Sequence, residues 1–264
     1  MSERDEYPAG VPCWVEGLHR DVDAAVAFYG QVMGWEIDDE GRGEFMARLR
    51  GRDVAGMARM PDEVKDSDSA WMTHVAVDSA DGAAEAATAA GGTVLAGPMD
   101  LSPEGTLVVI ADPEGAVIGA WEAGRHQGAQ LVNEAGAWSI SALNTADPDR
   151  AKAFYGDLFG WETEDFGPPG AGIAVFRLPG YFGGEPSQPV PRDVVAAMAP
   201  LAEGPARWSV DFWIADADAA AAKTQELGGS ILSGPEDAPP FREAVLADPQ
   251  GAEFAVSQMV APPD

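Results

Sequence analysis

One stretch of 19 residues occurs twice in this chain. "DVDAAVAFYGQVMGWEIDD" covers residues 21–39 and "DPDRAKAFYGDLFGWETED" covers residues 147–165, with eleven of the nineteen positions identical at a spacing of 126 residues. Each copy begins with an aspartate, a good helix N-cap, and has apolar residues at helical spacing before Gly34 or Gly160. A repeat of this length and spacing predicts that the chain contains two copies of one structural unit.

The repeat extends to the flanking strands and to a second helix. Each copy has the pattern of a strand, a helix and further strands, followed by the same order again. The matching segments are 11–18 and 137–144, 71–100 and 208–237, and 111–121 and 247–257. Strands are also predicted at 44–50, 53–60 and 172–178, whereas the Gly- and Pro-rich segment 181–206 is predicted to form a long loop.

The sequence therefore predicts an α+β protein of two similar tandem domains. We place the first domain at residues 8–124 and the second at 137–260, with a linker at 125–136 that lacks strong periodicity. A chain of 264 residues with 46% apolar residues is long and apolar enough to form two cores. The single Cys13 excludes an internal disulfide.

The charge of the chain limits its partners. The formal net charge is −28, from 44 acidic and 16 basic residues. Such a field repels phosphate backbones and anionic membrane surfaces, so neither nucleic acid nor a membrane is expected as a partner. No apolar run reaches the roughly 18 residues of a membrane span, and the start "MSERDEYPAG" has no apolar signal core. We expect a cytoplasmic protein.

The order of the elements, with "AFYxxxxGW" on the first helix and "ADPxGA" before the last strand, resembles the vicinal oxygen chelate superfamily. This superfamily includes glyoxalase I, extradiol dioxygenases and bleomycin-type resistance proteins. The resemblance covers nearly the whole chain, twice, and is nearest to tandem-domain actinobacterial proteins. These include a mycobacterial antigen type and accessory proteins of aromatic polyketide and anthracycline clusters. The resemblance implies paired βαβββ modules whose sheets curl into a cup around the ligand.

The resemblance also implies three metal-ligand positions in each half. In this sequence they are occupied by Trp14, Met72 and Gly119, and by Ile140, Ser209 and Ala255. None of these side chains is a competent ligand for the divalent cations that metal-dependent members use. We therefore expect no metal and no other cofactor.

The three histidines of the chain agree with that expectation. His126 falls in the linker, and His19 is expected near the mouth of the cup, just before the first helix. His74 lies two residues after Met72 and so on the same face of its strand. By the same spacing Glu16 shares a face with the Trp14 position, so Glu16 and His74 form a possible acid–base pair or a weak metal site.

The resemblance places aromatic, sulfur-containing and small side chains inside the first cup: Trp14, Met46, Met57, Met72, Gly119 and Trp121. Such a surface suits a flat apolar ligand, although Trp and Met in strands are also ordinary core residues. Arg48 and Arg177 occupy matching positions and are expected either to meet a phenolate or carboxylate or to be solvated.

In the second half Asp211 takes the place of His74. Trp208 and Trp213 flank Asp211, and Ile140 supplies an apolar wall. Asp211 is expected either to accept a hydrogen bond from a ligand hydroxyl or amine, or to be a strand-end charge exposed to water. On the repeated helix, the phenylalanine is expected to pack the helix on the sheet and the tyrosine to close its edge.

These observations favour a metal-free protein that binds a planar or apolar small molecule. The role implied by the resemblance is accessory binding, sequestration or self-protection in natural-product metabolism, with a biosynthetic enzyme as a possible partner. One alternative is a glyoxalase- or dioxygenase-like enzyme, or a metal-free acid–base catalyst, that uses Glu16 and His74. A further alternative is an antigen-like interaction protein.

Overall fold

The computed structural model describes residues 3–41, 43–61, 68–167, 171–183, 192–201 and 203–260. The first half contains two modules of the same order. The first module comprises β1 (Pro12–His19), α1 (Val22–Met33), β2 (Glu36–Gly41), β3 (Glu44–Leu49) and β4 (Arg52–Arg59). The second comprises β5 (Ala70–Ala76), α2 (Ala80–Ala89), β6 (Thr93–Asp100), β7 (Gly105–Ala111) and β8 (Val117–Ala123). Their strands form one eight-stranded sheet in the order β2-β3-β4-β1-β5-β8-β7-β6.

The second half repeats this arrangement. Its first module comprises β9 (Trp138–Thr145), α3 (Pro148–Phe159), β10 (Glu162–Asp165), β11 (Ala174–Arg177) and β12 (Val194–Pro200). Its second comprises β13 (Arg207–Trp213), α4 (Ala217–Glu226), β14 (Ser230–Ala238), β15 (Phe241–Ala247) and β16 (Glu253–Met259). The sheet order, β10-β11-β12-β9-β13-β16-β15-β14, matches that of the first half strand for strand. The predicted α+β fold with two tandem domains of paired βαβββ modules is confirmed, whereas the domain limits stay predictions.

The prediction of a loop over 181–206 is wrong for part of its length. Residues Val194–Pro200 form β12, which pairs in parallel with β9 and antiparallel with β11. The pairing buries Val195, Ala196 and Met198, and this burial stabilises a strand that follows a Gly- and Pro-rich run. Residues 184–191 and 202 of the predicted loop lie outside the described residues. The short strands β2 and β10, which are mostly exposed and acidic, were not expected from the sequence.

The repeated helices begin and end as the sequence predicts. The side chain of Asp21 accepts a hydrogen bond from the Ala24 N–H at 3.1 Å, and Asp147 does the same for Arg150 at 3.1 Å. Gly34 and Gly160 end the helices in the left-handed region, each with φ of 73°. None of the helices in the described residues has the length and hydropathy that crossing a bilayer requires.

The repeated helices pack across the two halves. The ring of Phe28 on α1 lies 6.3 Å from that of Phe254 on β16, and α1 also contacts α4 of the second half. Phe154 on α3 packs in a core cluster with residues of β7 and β8, and α3 contacts α2. A Cβ at Gly92 would lie 2.7 Å from the Phe154 ring, so the first half leaves space for that ring. Each helix therefore covers part of the other half's sheet.

The two sequence motifs meet at this junction. The Tyr29 hydroxyl lies 3.4 Å from Asp248 of the second half's Asp-Pro turn, and the Tyr155 hydroxyl donates to Asp112 of the first half's turn at 3.0 Å. Burial, followed by the nearby aspartate, raises the pKa of each tyrosine well above its usual value, so both hydroxyls stay protonated donors. The aspartates also hold their own turns together; Asp248 accepts from the N–H groups of Gln250 and Ala252.

Two predicted positions, His19 and Trp208, take structural roles at this junction. His19 is fully buried, with Nδ1 3.3 Å from Asp248 Oδ2, so the prediction that it lies near the mouth of the cup is wrong. The ring fits because Gly17 has no side chain: a Cβ there would lie 2.4 Å from His19 Nε2. Trp208 donates its indole N–H to the Tyr155 hydroxyl at 2.8 Å, in the core rather than in a ligand cavity.

Candidate functional site

Each half has a cavity against its curled sheet. The cavity of the first half has a volume of about 790 Å³ and is bordered by side chains of β1, β3, β4, β5, β7 and β8. The cavity of the second half has a volume of about 540 Å³ and is bordered by β9, β11, β12, β13, β15 and β16. Both volumes fall in the range of pockets that hold small molecules. The N-terminal residues Arg4 and Tyr7 line both cavities.

The strand register aligns a row of three residues across the centre of each sheet. In the first half Trp14 pairs with His74, and His74 pairs with Gly119. The middle position was expected to be Met72, which instead pairs with Glu16. The central row of the first half is therefore Trp14, His74 and Gly119.

The second half has the same register with different residues. Ile140 pairs with Asp211, and Asp211 pairs with Ala255. Ser209, the expected middle position, instead pairs with Ala142. Each row therefore contains one ionisable side chain, a histidine in the first half and an aspartate in the second.

Six of the predicted residues line the first cavity together with Arg48: Trp14, Glu16, Met46, Met57, His74 and Trp121. Two others lie outside its lining. Met72 is buried. Gly119 leaves space for the His74 ring, because a Cβ at residue 119 would lie 3.1 Å from Cγ of that ring. A side chain at residue 119 would therefore press on the imidazole.

Glu16 and His74 approach each other within this cavity. His74 Nε2 lies 3.8 Å from Glu16 Oε2 and makes no hydrogen bond within the described residues. Burial, followed by the charge of His126, lowers the pKa of His74 to about 3. Burial, followed by the charge of Glu44, raises the pKa of Glu16 to about 7. At neutral pH the pair is a neutral imidazole beside a carboxyl group in mid-titration, and it is not a salt bridge.

His126 belongs to the first cavity, although its sequence position assigned it to the linker. Its ring lies edge-on to Trp14, with centroids 4.4 Å apart and planes at 82°, and 5.8 Å from the ring of Trp121. The Trp121 indole N–H donates to the His126 carbonyl at 2.8 Å, which fixes the loop against β8. Sequence periodicity gave no signal for this residue, because the segment that carries it belongs to no helix or strand.

The two matching arginines are paired with carboxylates. Arg48 Nε donates to Asp53 Oδ1 at 2.7 Å, and its terminal nitrogens also contact Asp38 and Glu40. Arg177 likewise pairs with Asp193 and Glu164, and it is not among the described residues that line the second cavity. For Arg177, a structural ion pair therefore takes the place of both expected roles, contact with a ligand anion and solvation.

In the second cavity Asp211 is held by two serines. The Ser139 hydroxyl donates to Asp211 Oδ1 and the Ser257 hydroxyl donates to Oδ2, each at 2.6 Å. Ile140 and Trp213 line this cavity together with these serines, and their contact with a ligand stays a prediction. The sequence did not indicate Ser139, because a register shift in the β9–β13 pairing brings it beside Asp211.

The electrostatic environment of Asp211 opposes its ionisation. Burial is the largest effect and raises the pKa of Asp211 to about 7; the Ser139 and Ser257 hydrogen bonds oppose this rise, and the charge of Glu243 adds to it. Most other side chains that line the cavity are apolar or aromatic, among them Trp138, Val175, Val195 and Phe241. Asp211 therefore lies at the central row of a largely apolar cavity, and Glu243 is the other acidic residue in its described lining.

A family model described as a glyoxalase-like domain matches this chain twice, over residues 15–119 and 141–257. The chain belongs to this glyoxalase-like family, within the vicinal oxygen chelate superfamily. A relative from Mycobacterium tuberculosis, named "Putative glyoxylase CFP32", is 37% identical over 265 residues that cover 97% of each chain. "Anthracycline biosynthesis protein DnrV" of Streptomyces peucetius is 30% identical over 270 residues, covering 96% of this chain and 94% of that protein.

Solved structures of other members show the same fold. The Mn(II)-bound glyoxalase of Novosphingobium aromaticivorans aligns with a TM-score of 0.64 at 17% identity, over 96% of this chain and 83% of that one. The 2,2',3-trihydroxybiphenyl 1,2-dioxygenase of Sphingomonas wittichii aligns with a TM-score of 0.61 at 15% identity, over 96% and 91% of the two chains. These similarities establish the fold alone.

The central rows of this glyoxalase-like protein do not fit the metal ion that the superfamily's chelating members bind. A divalent cation needs several imidazole, carboxylate or thiolate ligands around it, and each row supplies one such group. Across the described residues, no cluster of three or more His, Cys, Asp or Glu side chains could hold a metal ion. Cys13 adds no ligand, because it is buried and its burial raises the thiol pKa.

Proposed function

We propose that this glyoxalase-like protein binds a planar aromatic small molecule, without a metal, as an accessory, sequestration or self-protection protein in natural-product metabolism. The observation that carries the proposal is the composition of the central row of the first cavity. This row combines the indole of Trp14, the neutral imidazole of His74 and Gly119, which has no side chain. This set favours contact with a flat ring over coordination of a cation.

The walls of the first cavity support a flat ligand. Trp14 and Trp121 present two indole rings, and His126 holds both of them edge-on. Met46 and Met57 supply thioethers, which adapt to an irregular outline and contact aromatic rings favourably. A volume of about 790 Å³ is ample for a molecule of several fused rings.

The biological context comes from a relative. A protein of Streptomyces peucetius that is 30% identical over nearly its whole length is named for anthracycline biosynthesis. Anthracyclines contain fused planar rings, which is the ligand shape that the first cavity favours. We therefore place the ligand among aromatic natural products of this type.

A fluorescence titration tests the proposal. Anthraquinone and anthracyclinone ligands are added to the protein, and quenching of its eight tryptophans reports binding. Trp14→Leu should weaken binding about tenfold or more, because an interior aromatic contact is lost. Leu95→Ala, an exposed apolar change away from both cavities, serves as the control. Prior treatment with a chelator should leave the affinity unchanged. Absence of quenching by any planar ligand would contradict the proposal.

A second candidate function is acid–base catalysis in the first cavity. The observation that favours it is the 3.8 Å approach of Glu16 to His74, with a carboxyl pKa of about 7 and an imidazole that stays neutral. Such a carboxyl could remove a proton from an acidic C–H and return it to another carbon. The relative named as a glyoxylase is consistent with turnover of this kind.

Isotope exchange separates the two functions. Bound ligand is incubated in deuterium oxide, and incorporation at its acidic positions is followed by NMR. An enzyme should lose most exchange in Glu16→Gln, whereas a binding protein shows no exchange that depends on Glu16 and retains affinity in that variant.

A further inference from the structure

We propose that the second cavity binds the ammonium group of an amine-bearing aromatic ligand on Asp211, and that the two cavities therefore select different ligands. The inference rests on the proposed function, because it specifies the chemical class that one of the two cavities accepts. Its basis is the position of the Asp211 carboxylate, which lies on the central row of a largely apolar cavity of about 540 Å³.

The two serines position this carboxylate and leave it with acceptor capacity. Each oxygen of Asp211 takes one hydroxyl hydrogen bond of 2.6 Å, whereas a carboxylate offers about four acceptor sites in total. Ser139 and Ser257 lie on the strands at either side of β13, so the carboxylate is held from both flanks. Its remaining lone pairs are available to a group in the cavity that Asp211 lines.

The protein supplies no counter-cation to this carboxylate in its described part. The ion pairs of the described residues include Arg, Lys and His partners for many carboxylates, but none of them involves Asp211. Arg4 lines the same cavity, and its guanidinium donates to the backbone carbonyls of Glu3 and Gly183. The other charged group facing the cavity is Glu243, which pairs in register with Ser257 and adds negative charge.

A ligand ammonium satisfies this environment better than a neutral hydroxyl does. Hydrogen bonds between an ammonium and a carboxylate are charge-assisted and roughly twice as strong as neutral ones. The indoles of Trp138 and Trp213 also line the cavity, and an indole ring attracts a cation placed over its face. The free-energy cost of removing the ammonium from water is offset only where such partners are already positioned to contact it.

The first cavity has a different side chain at the equivalent position. His74 occupies the place of Asp211, and its imidazole is neutral at physiological pH. The residue equivalent to Ser139 is Cys13, whose thiol contacts the His74 carbonyl. At this central position the first cavity therefore offers a neutral nitrogen and the second a carboxylate, whereas the Glu16 carboxyl of the first cavity lies off the central row.

Two matched probes test the inference. 9-(Aminomethyl)anthracene carries an ammonium, and 9-(hydroxymethyl)anthracene has the same rings and a neutral hydroxyl. Their binding is measured at pH 8 by calorimetry and by anthracene fluorescence. The wild type should bind the amine about tenfold more tightly or better. Asp211→Asn should remove that preference and leave the affinity for the alcohol within about threefold.

A matched control excludes the effect of net charge. Glu85→Gln removes an equal charge from the exposed face of α2 and should leave the preference for the amine unchanged. A wild-type measurement at about 0.5 M salt provides a test that does not depend on any variant. Attraction to the general surface charge is screened at that ionic strength, whereas a pair inside the cavity persists.

The outcomes separate this inference from the proposed function. Equal affinity for the two probes, a preference that survives Asp211→Asn, or a preference that disappears in salt would overturn the inference alone. Failure of the protein to bind either probe or any other planar ligand would instead contradict the proposed function.

Discussion

Replacing Asp211 with Asn should stabilise the protein at alkaline pH. The carboxyl of the half-buried Asp211 has a pKa of about 7, against 3.8 for an ordinary aspartate, chiefly because its removal from water disfavours the charged form. Asparagine has nearly the same shape and carries no charge. It can also hydrogen-bond with Ser139 and Ser257, because a hydroxyl rotates to act as donor or acceptor.

The sign and size of the effect follow from proton linkage. Between pH 3.8 and about 7 the folded protein holds a proton that the unfolded chain has released, so the wild-type free energy of unfolding falls as the pH rises. At about 1.4 kcal/mol for each unit of pKa, the full loss above pH 7 is about 4 kcal/mol. Asp211 is only partly shielded from water. We therefore expect Asp211→Asn to raise the free energy of unfolding by about 2–4 kcal/mol at pH 8 and by about 1 kcal/mol or less at pH 4.5.

Urea unfolding followed by tryptophan fluorescence measures this difference. The free energies of unfolding of wild type, Asp211→Asn and the surface control Glu85→Gln are compared at several pH values from 4.5 to 8. The control corrects for the relief of general repulsion in a chain of net charge −28. A gain that is independent of pH, or that is equal in the two variants, would refute the argument that the cost arises from burying this carboxylate.

Three further changes have defined outcomes. Tyr155→Phe removes the hydroxyl that the buried Trp208 indole N–H and the Asp112 carboxylate both contact. It should lower the free energy of unfolding, measured in urea, by about 2–4 kcal/mol. Gly119→Val places a Cβ about 3.1 Å from the His74 ring and should weaken ligand binding in the first cavity about tenfold in a fluorescence titration. Glu16→Gln should remove the part of ligand binding that varies with pH near 7 in the same titration, because burial, followed by Glu44, places the pKa of Glu16 at about 7.

The sequence predicted the fold well because the fold depends on local patterns that are present twice. The helix caps, the helical spacing and the Asp-Pro turns are short-range signals, and each copy supports the interpretation of the other. β12 was missed because its stability comes from pairing with β9, a segment about 50 residues earlier in the chain. Its own sequence, "VVAAMAP", has no alternating pattern that separates it from the preceding loop.

The site was less predictable because it depends on register and on loops. Counting along the sequence placed Met72 in the central row, whereas the hydrogen-bond register places His74 there. His126 reached the first cavity through the hydrogen bond between the Trp121 indole and its own carbonyl, a tertiary contact that no sequence pattern records. Ser139 reached Asp211 through a register shift in one strand pair.

The same geometry explains why the helices stayed similar while the cavities diverged. Tyr29 and Tyr155 each bind the Asp-Pro turn of the opposite half, so a change in either helix disturbs contacts that the other half must match. The central residues His74 and Asp211 make no hydrogen bond or ion pair with the opposite half among the described residues, and both line a cavity. His74 and Asp211 could therefore become different while the folds around them remained alike. Two cavities that arose by duplication have in this way acquired a neutral and an acidic centre, and different ligands are the expected consequence.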